Sequence, residues 1–287
     1  RCPVFGGKPK KFDATKAKSV PGVRQVLSIH SGIAVVADSF WAAMQGRDAL
    51  VVEWDEGAHA RLDSTAIRKQ LEQALNKKGV NARNEGDATK ALKAAAKRIE
   101  AMYEAPYLAH ACMEPMNCTA LVKKDSCELW VPTQNQTGTQ FVAAQITCLP
   151  PEKVKVHTTF LGGGFGRRSE QDFVAEAVQL AMATGAPVKL MWTREDDLQH
   201  DYYRPATLNR LSAVLDKEGM PLAWRHEMAG ASIFARVFPN SIKNGIDNTS
   251  VEGAANLPYA IPNLHVSWVM ENGAVPVGFW RSVGSSQ

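Results

Sequence analysis

Residues 157–177 read HTTFLGGGFGRRSEQDFVAEA and hold four glycines within the five positions 162–166. Before them, KVKVHTTF alternates apolar and polar side chains in the manner of a β-strand. After them, Phe173 and Ala177 follow the spacing of one helical face. The stretch therefore predicts a strand, a glycine turn and a helix, with Ser169 as the helix N-cap.

Two common phosphate-binding motifs do not fit these glycines. The Gly-x-Gly-x-x-Gly motif would need glycine at 167 or 169, where Arg167 and Ser169 stand, and neither Arg167 nor Arg168 fits a P-loop. Successive glycines still expose consecutive backbone N–H groups, and the N-terminus of the next helix would point to the same place. The pattern favours an anionic or oxo-bearing ligand against the backbone. A tight turn in which glycine only relieves crowding is the alternative.

The composition is that of an ordinary folded protein. The chain has 287 residues, of which 45% are hydrophobic and 22% are charged, and this length predicts two structural units. A net charge of +4 without a block of basic residues does not indicate nucleic-acid binding. The chain begins at Arg1 without a methionine, so we expect it to be part of a longer protein.

The five cysteines are scattered and form no Cys-x-x-Cys pair. An iron–sulfur cluster would need clustered thiolates. Buried or free thiols are therefore expected, and no cluster ligands are found in this chain.

The order of predicted elements gives an α+β fold with three segments. Residues 1–61 predict a small α/β unit with a helix capped by Ser39, and residues 62–98 predict two helices that form a connector. Residues 99–287 predict a larger mixed unit, with hairpins at 118–131 and around residues 219–221.

A resemblance emerges from several phrases in order: PTQN at 132–135, LGGGFG at 161–166, WTREDD at 192–197 and FWRSVGSSQ at 279–287. Together with HACMEPMNCTA, they resemble the molybdenum-binding large subunit of the xanthine oxidase family, isoquinoline 1-oxidoreductase and aldehyde dehydrogenase type. The resemblance implies that residues 1–61 are a hammerhead-like α/β domain. It also implies that residues 99–287 are the N-terminal, incomplete part of a mixed α+β molybdopterin-binding domain.

Site residues follow from the resemblance by position. In that family a glutamine like Gln134 hydrogen-bonds an oxygen ligand of the molybdenum, and a backbone like that of Gly163, Gly164, Phe165 and Gly166 passes under the molybdopterin. Phe165 could equally be a core residue. The resemblance implies no direct protein ligand to the metal.

The end of the chain matches a further family segment. Arg281 corresponds to an arginine that orients substrate or cofactor and stabilises charge in the transition state. In the family this segment reads aromatic-Arg-x-x-Gly-x-x-Gln, and Gly284 and Gln287 occupy its glycine and glutamine positions. The resemblance therefore implies that Gln287 contacts the cofactor. A surface ion pair is the alternative for Arg281.

Some features depart from the family pattern or are missing. Ser169 stands where purine-oxidising members carry a glutamate, and Glu170 is one place off, so aldehydes or N-heteroaromatic compounds are the expected substrates. Arg167 and Arg168 would either place positive charge near a phosphate or pair with the acids at 195–197. The family's general base, a glutamate near the end of the subunit, is not in this chain, so the chain alone is expected to be inactive.

Cofactors and partners are implied by the same resemblance. They are molybdenum with molybdopterin, as the cytosine dinucleotide, and a small subunit that carries 2Fe-2S clusters. A cytochrome c or flavin electron acceptor, a small-molecule substrate and the remainder of the large subunit complete the set. A periplasmic or membrane-associated complex and a cytoplasmic one both remain open.

Three alternatives accompany this interpretation. A binding or assembly module that keeps the fold without the chemistry is the competing function. The acidic stretch 193–201 could hold a hard metal, but a solvated turn balanced by Arg194 and Arg204 is favoured. His110 and Glu114 flank Pro115, which argues against a helical zinc pair and for a buried polar role.

Overall fold

Strands and helices of an α+β protein make up the computed structural model, which describes residues 1–286. The predicted fold class is confirmed. The strands are β1 Lys8–Asp13, β2 Val23–Ile29, β3 Gly32–Ala37, β4 Val51–Asp55, β5 Val80–Glu85, β6 Ile99–Ala105, β7 Asn117–Val122, β8 Cys127–Val131, β9 Val154–Thr158, β10 Val188–Met191, β11 Thr207–Leu215, β12 Pro221–Gly230 and β13 Asn263–Met270. The helices are α1 Thr15–Ser19, α2 Phe40–Asp48, α3 Ser64–Leu75, α4 Ala88–Ala94, α5 Gln136–Thr147, α6 Asp172–Thr184, α7 Arg194–Gln199 and α8 Phe234–Val237.

The chain divides into two compact units that are interleaved in sequence. Unit 1 combines residues 1–61 with 110–201, and unit 2 combines residues 62–109 with the chain from Tyr202 onward. The segments 1–61, 62–98 and 99–287 stay a prediction as domains. Residues 62–98 contain a strand besides the two predicted helices, because β5 forms one edge of the sheet in unit 2.

Unit 1 contains the glycine stretch and is built on a four-stranded sheet in the order β10-β7-β8-β9. β7 pairs antiparallel with both β10 and β8, and β8 pairs parallel with β9. Helix α5 makes the crossover between the two parallel strands, as a parallel pair requires. Two antiparallel pairs, β1 with β4 and β2 with β3, come from the first sixty residues.

The core of unit 1 lies between this sheet and helices α5 and α6. Phe173, Val174 and Val178 of α6 are fully buried in the same apolar cluster as Leu129 and Val131 of β8. Burying a side chain of this size contributes about 1.5–3 kcal/mol. The packing fixes α6 on the sheet and thereby fixes the loop that connects β9 to α6.

Unit 2 is a five-stranded sheet in the order β5-β13-β12-β11-β6. β12 and β13 are parallel, and the other neighbours are antiparallel. Helix α3 buries Leu71, Ala74 and Leu75 against Leu208 of β11, as its apolar face predicts. No helix within residues 1–286 is long and apolar enough to cross a membrane.

Several local predictions can be compared with the structure. Ser39 caps α2 by accepting from the amide of Ala42, and Asp87 caps α4 by accepting from Lys90. The prediction for Ser169 was wrong: it lies in a 3-10 turn over Arg167–Ser169, and α6 begins at Asp172. The turn buries the side chains of Arg167 and Arg168, and α6 therefore begins after the turn instead of at Ser169. The five cysteines are free, and four of them are buried.

Candidate functional site at the carboxyl ends of β8 and β9

Two loops meet beyond the carboxyl ends of the parallel strands β8 and β9. Gln134 lies in the short connection from β8 to α5, and the glycine loop, residues 159–166, follows β9. The carboxyl ends of adjacent parallel strands open at the same sheet edge, which is where ligands bind in many α/β proteins. Hydrogen bonds join the connection that carries Gln134 directly to the chain that follows β9.

Gln134 is held so that its amide NH2 group is available. Its Oε1 accepts a hydrogen bond from the N–H of Gly166 at 3.1 Å, and its own backbone N–H donates to the carbonyl of Arg168 at 3.0 Å. Only the carboxamide oxygen can accept from an N–H, so this contact fixes the orientation of the group. The Gln134 side-chain NH2 donates no hydrogen bond to residues 1–286, and the residue is exposed.

Two successive amides of the glycine loop have no hydrogen-bond acceptor within residues 1–286, and Gly164 is itself buried. The carbonyl of Gly162 accepts from the N–H of Glu114 at 3.0 Å, and the carbonyl of Gly163 accepts from Nε of Arg168 at 2.7 Å. The N–H groups of Gly163 and Gly164 donate no hydrogen bond within the part of the chain that the structure describes. The loop thus presents two neutral backbone donors close to the amide of Gln134.

Glycine is required at specific positions of this loop. Gly163 and Gly166 have φ angles of +98° and +108°, which side chains rarely tolerate. A Cβ on Gly164 would lie 2.4 Å from Oε1 of Gln134. Phe165 also has a positive φ, +55°, and 41% of it is exposed. The alternative of a core role for Phe165 is therefore wrong, since the loop holds its ring at the surface.

An ion pair between a buried arginine and a partly exposed glutamate supports the loop. Arg168 is fully buried, and its guanidinium donates to the carboxylate of Glu114 at 2.9 Å and to the Glu114 carbonyl at 2.6 Å. Burial lowers the pKa of Arg168 from its usual value, and the charge of Glu114 opposes this shift. The predicted pairing of Arg168 with the acids at 195–197 was wrong, because Glu114 supplies its carboxylate.

Arg167 forms a second buried network. Its two terminal nitrogens bind both oxygens of Asp172 at 2.9 Å, and its Nε lies 2.9 Å from Oδ1 of Asp201. Burial raises the pKa of the Asp172 carboxyl, but Arg167 and Arg1 outweigh it and hold that pKa below the usual range. Asp201 also binds Nδ1 of His110 at 2.9 Å. His110 thus has the predicted buried polar role.

The acidic stretch 193–201 is not a solvated turn, contrary to the prediction. It forms α7, which Thr193 and Asp196 start with a capping box. Asp197 and Asp201 are buried, with Asp197 bound to Arg194 at 2.8 Å. Within residues 1–286, no three His, Cys, Asp or Glu side chains are placed to hold a metal ion.

A cavity of about 480 Å³ in unit 1 lies apart from these loops. It is lined by β3, α2 and β10, and neither Gln134 nor the glycine loop contributes to it. Two of its ion pairs are Arg47 with Asp196 at 2.8 Å and Arg1 with Glu176 at 2.8 Å.

The remaining predicted site residues are at the end of the chain. Arg281 belongs to unit 2 and is exposed, with its guanidinium carbon 5.4 Å from the centre of the Trp280 ring. Gly284 is buried and its N–H donates to Glu252 at 3.2 Å. Gln287 lies outside the described residues. The structure thus brings together Gln134 and residues 163–166, and Arg281 stays a prediction.

A model of the molybdopterin cofactor-binding domain family matches residues 71–287. The chain belongs to the molybdopterin cofactor-binding domain family. This confirms the family resemblance that the sequence motifs indicated.

Named relatives of this molybdopterin-binding chain agree with that result. It is 32% identical to the isoquinoline 1-oxidoreductase subunit beta of Brevundimonas diminuta, over 99% of this chain and 38% of the relative. It is 28% identical to an aldehyde oxidoreductase molybdenum-binding subunit of Escherichia coli strain K12, over 87% of this chain and 32% of the relative. The chain therefore spans about a third of the length of these curated relatives.

Solved structures give the same fold. The aldehyde oxidoreductase of Desulfovibrio gigas superimposes with a TM-score of 0.72 at 18% identity, over 99% of this chain and 36% of that one. At this identity the likeness concerns the fold alone.

The residues of the loop pair fit a molybdopterin cofactor. Molybdopterin carries a phosphate and binds an oxo-bearing metal, so it needs hydrogen-bond donors and close approach of the backbone. Such donors are the amides of Gly163 and Gly164 and the NH2 of Gln134. Because residues 163 and 164 are glycines, no Cβ stands in the way of a ligand that approaches their amides. Sequence reasoning missed Glu114 and Arg168 as the support of this loop, although the two arginines after the glycines were the available signal.

Proposed function

We propose that this protein is the molybdenum-cofactor-binding large subunit of a hydroxylase or dehydrogenase that oxidises aldehydes or N-heteroaromatic compounds with oxygen from water. The observation that carries the proposal is the set of three donors at the ends of β8 and β9 that bind nothing within residues 1–286. They are the N–H groups of Gly163 and Gly164 and the side-chain NH2 of Gln134. All three are neutral, so they can bind an oxo or anionic group without adding a formal charge beside it.

The cofactor, when bound, supplies two-electron oxidation of a carbon centre. The task of Gln134 is to hold an oxygen atom of that group by its NH2, while Gly166 keeps the carboxamide in place. The backbone from Gly163 to Gly166 would hold the cofactor, and the exposed ring of Phe165 would add an apolar contact. Arg281 would orient oxygen atoms of substrate or cofactor by its guanidinium, and Gln287 would contact the cofactor.

The substrate class is argued from both residues and relatives. Ser169 has no carboxylate, and its N–H and carbonyl are used inside the turn by Gly166 and Gln171. A purine would need the acidic contact that is absent at this position. One relative is named for isoquinoline and another for aldehydes, which supports these two classes.

Partners and the form of the cofactor complete the proposal. We expect the cytosine dinucleotide form of molybdopterin, and 2Fe-2S clusters on a small partner subunit with a cytochrome c or flavin acceptor beyond it. Both named relatives are described as subunits, which supports a complex with other chains. The general base, a glutamate of the remainder of the large subunit, is part of the proposal too.

The experiment is to measure molybdenum per polypeptide in the full-length protein purified with its partners. Near one metal per chain, with turnover of an aldehyde or an N-heterocycle, supports the enzyme. No molybdenum in a folded, undamaged preparation contradicts it and favours a binding or assembly module.

A pair of variants tests the site itself. Gln134→Ala removes the side-chain donor, and loss of one such donor lowers kcat by about 10²–10³-fold in comparable sites. Gln136→Ala removes an exposed glutamine two residues away at the start of α5 and serves as the matched control. Equal turnover by both variants and the parent would remove Gln134 from the proposed site.

A further inference from the structure

Arg168 and Glu114 contact the backbone of both loops of the candidate site. Arg168 donates to the Gly163 carbonyl at 2.7 Å and to the Pro132 carbonyl at 3.5 Å, two residues before Gln134. Its own carbonyl accepts from the N–H of Gln134 at 3.0 Å. One buried residue therefore contacts both the glycine loop and the segment that carries Gln134.

Glu114 closes the same arrangement from the other side. Its carboxylate accepts from the N–H of Gly162 at 2.8 Å and from Arg168 at 2.9 Å, and from Asn117 at 2.8 Å. Its backbone N–H donates to the Gly162 carbonyl at 3.0 Å. The carboxylate thus holds Arg168 and the glycine loop together.

The direction of the loop amides follows from peptide geometry. No peptide bond in the described chain is cis, and in a trans peptide the C=O and N–H point in opposite directions. The Gly162 carbonyl points to Glu114, so the N–H of Gly163 points away from Glu114. The Gly163 carbonyl points to Arg168, so the N–H of Gly164 points away from Arg168.

A charged donor on the Gly163 carbonyl does more than orient that peptide. Hydrogen bonds from a guanidinium are stronger than neutral ones. They also polarise the peptide group, which strengthens its N–H as a donor to the next group. The Gly164 N–H belongs to the same peptide as the Gly163 carbonyl, so it is the amide that gains.

We infer that Arg168 and Glu114 are positioning residues that aim the amides of Gly163 and Gly164, and with them Gln134, at an oxygen-bearing group of the molybdenum cofactor. The inference rests on the proposed function. Both act through the backbone of the glycine loop. Adjacent Arg167 does not share the task, because its guanidinium binds Asp172 and lies beside Asp201.

Two variants of the full-length protein with its partners test the pair. Arg168→Lys keeps the charge but loses the planar fork that reaches three carbonyls and a carboxylate. Glu114→Gln keeps the size and removes the charge, and it remains informative if Arg168→Lys does not fold. Arg83→Lys is the matched control, since Arg83 also binds one carboxylate, Glu85, and two carbonyls, but lies in unit 2.

Three measurements are made on each protein: molybdenum retained after dialysis, the electron paramagnetic resonance spectrum of Mo(V), and hydrogen exchange of peptides that cover residues 159–168. We expect both test variants to release molybdenum about 10-fold faster, as when outer-shell partners of metal sites are lost. We also expect a changed Mo(V) spectrum and faster exchange at Gly162 and Gly166. Arg83→Lys should match the parent in all three.

The outcomes separate this inference from the proposed function. A parent with molybdenum, and test variants with unchanged retention and spectrum, overturns the role of the pair and leaves the proposed function intact. A folded parent without molybdenum overturns both. A general loss of stability shared with Arg83→Lys, without a change in the spectrum of the retained metal, reduces the pair to a structural role and also overturns the inference.

Discussion

Gly164→Ala is expected to disable the site while leaving the fold almost unchanged. The three atoms nearest to the added Cβ all belong to the Gln134 side chain: Oε1 at 2.4 Å, Cδ at 2.6 Å and Cγ at 3.2 Å. The φ angle of Gly164 is not in the left-handed region, so alanine adds no backbone strain there. Gln134 is exposed and flexible, and the methyl group therefore moves its carboxamide rather than the backbone.

The magnitudes follow from this displacement. The hydrogen bond from Gly166 to Gln134 is lost, at a cost of about 1 kcal/mol. Replacing glycine by alanine restricts the unfolded chain and returns about 0.4–1 kcal/mol. The free energy of unfolding should therefore change by less than about 1 kcal/mol. Loss of the aligned NH2 donor should lower kcat by about 10²–10³-fold.

A double-mutant cycle with Gln134→Ala makes the prediction specific. Without the Gln134 side chain the new methyl group has nothing to displace, so the double variant should be no less active than Gln134→Ala alone. The coupling would be about 3–4 kcal/mol, which is the whole effect of one single variant. Turnover per molybdenum and thermal unfolding of the full-length complex are the measurements.

The control and the contrary outcomes are equally clear. Gly185→Ala makes the same change at the end of α6, where φ is +63° and no atom lies within 4 Å of the added Cβ. It should lower the free energy of unfolding by about 1–2 kcal/mol and leave turnover unchanged, which is the reverse of the pattern expected for Gly164→Ala. Parental turnover by Gly164→Ala, or additive losses in the double variant, would refute the reasoning about Gln134.

Three further predictions concern single residues. Gly166 has a φ of +108°, so Gly166→Ala should strain the backbone and destabilise the protein by about 1–3 kcal/mol. Chemical denaturation measures this loss, and an unchanged midpoint would contradict the expected backbone strain. Arg281→Lys should lower turnover by about 10²-fold with unfolding unchanged within about 0.5 kcal/mol, and equal turnover would leave Arg281 a surface residue. Burial lowers the pKa of His226 to about 4. The unfolded chain therefore binds a proton at this residue near pH 6.5, whereas the folded protein binds it only near pH 4. The stability from neutral His226 is complete above about pH 6.5 and falls by about 3 kcal/mol toward pH 4. Between about pH 6.5 and pH 4, the free energy of unfolding of His226→Gln should therefore fall by about 3 kcal/mol less than that of the parent. The exposed control His59→Gln should match the parent.

The sequence predicted the elements that have a strong apolar pattern. The strand, glycine turn and helix around residues 154–184 were recognisable because their residues alternate, break and then repeat at helical spacing. The strands β1 and β5 were missed, since KPKKFD and VNARNE are edge segments with mostly exposed side chains and no apolar alternation. In α5, Phe141 is exposed, and the small residues Ala143 and Ala144 face the core.

The candidate site was predictable only in part. Gln134 and the glycines were found through the family resemblance, and the structure places them together. Glu114 and Arg168 were not, because a contact between residues 54 positions apart leaves no periodic signal in the sequence. Consecutive arginines ordinarily indicate an exposed basic surface, whereas here both guanidinium groups are buried beside carboxylates. Charge alone could not distinguish these environments.

The interleaving of the two units determines the order in which the chain can fold during its synthesis. Residues 1–61 belong with residues 110–201, so the first segment leaves the ribosome before its partner exists. At about 5–20 residues per second, the 140 residues from 62 to 201 take roughly 7–28 s to appear. During that time the strands of the first segment wait with incomplete packing, and the glycine loop forms near the end of the same interval. Incompletely packed segments of this kind are prone to aggregate, and truncation between residues 62 and 201 leaves a segment without the unit to which it belongs.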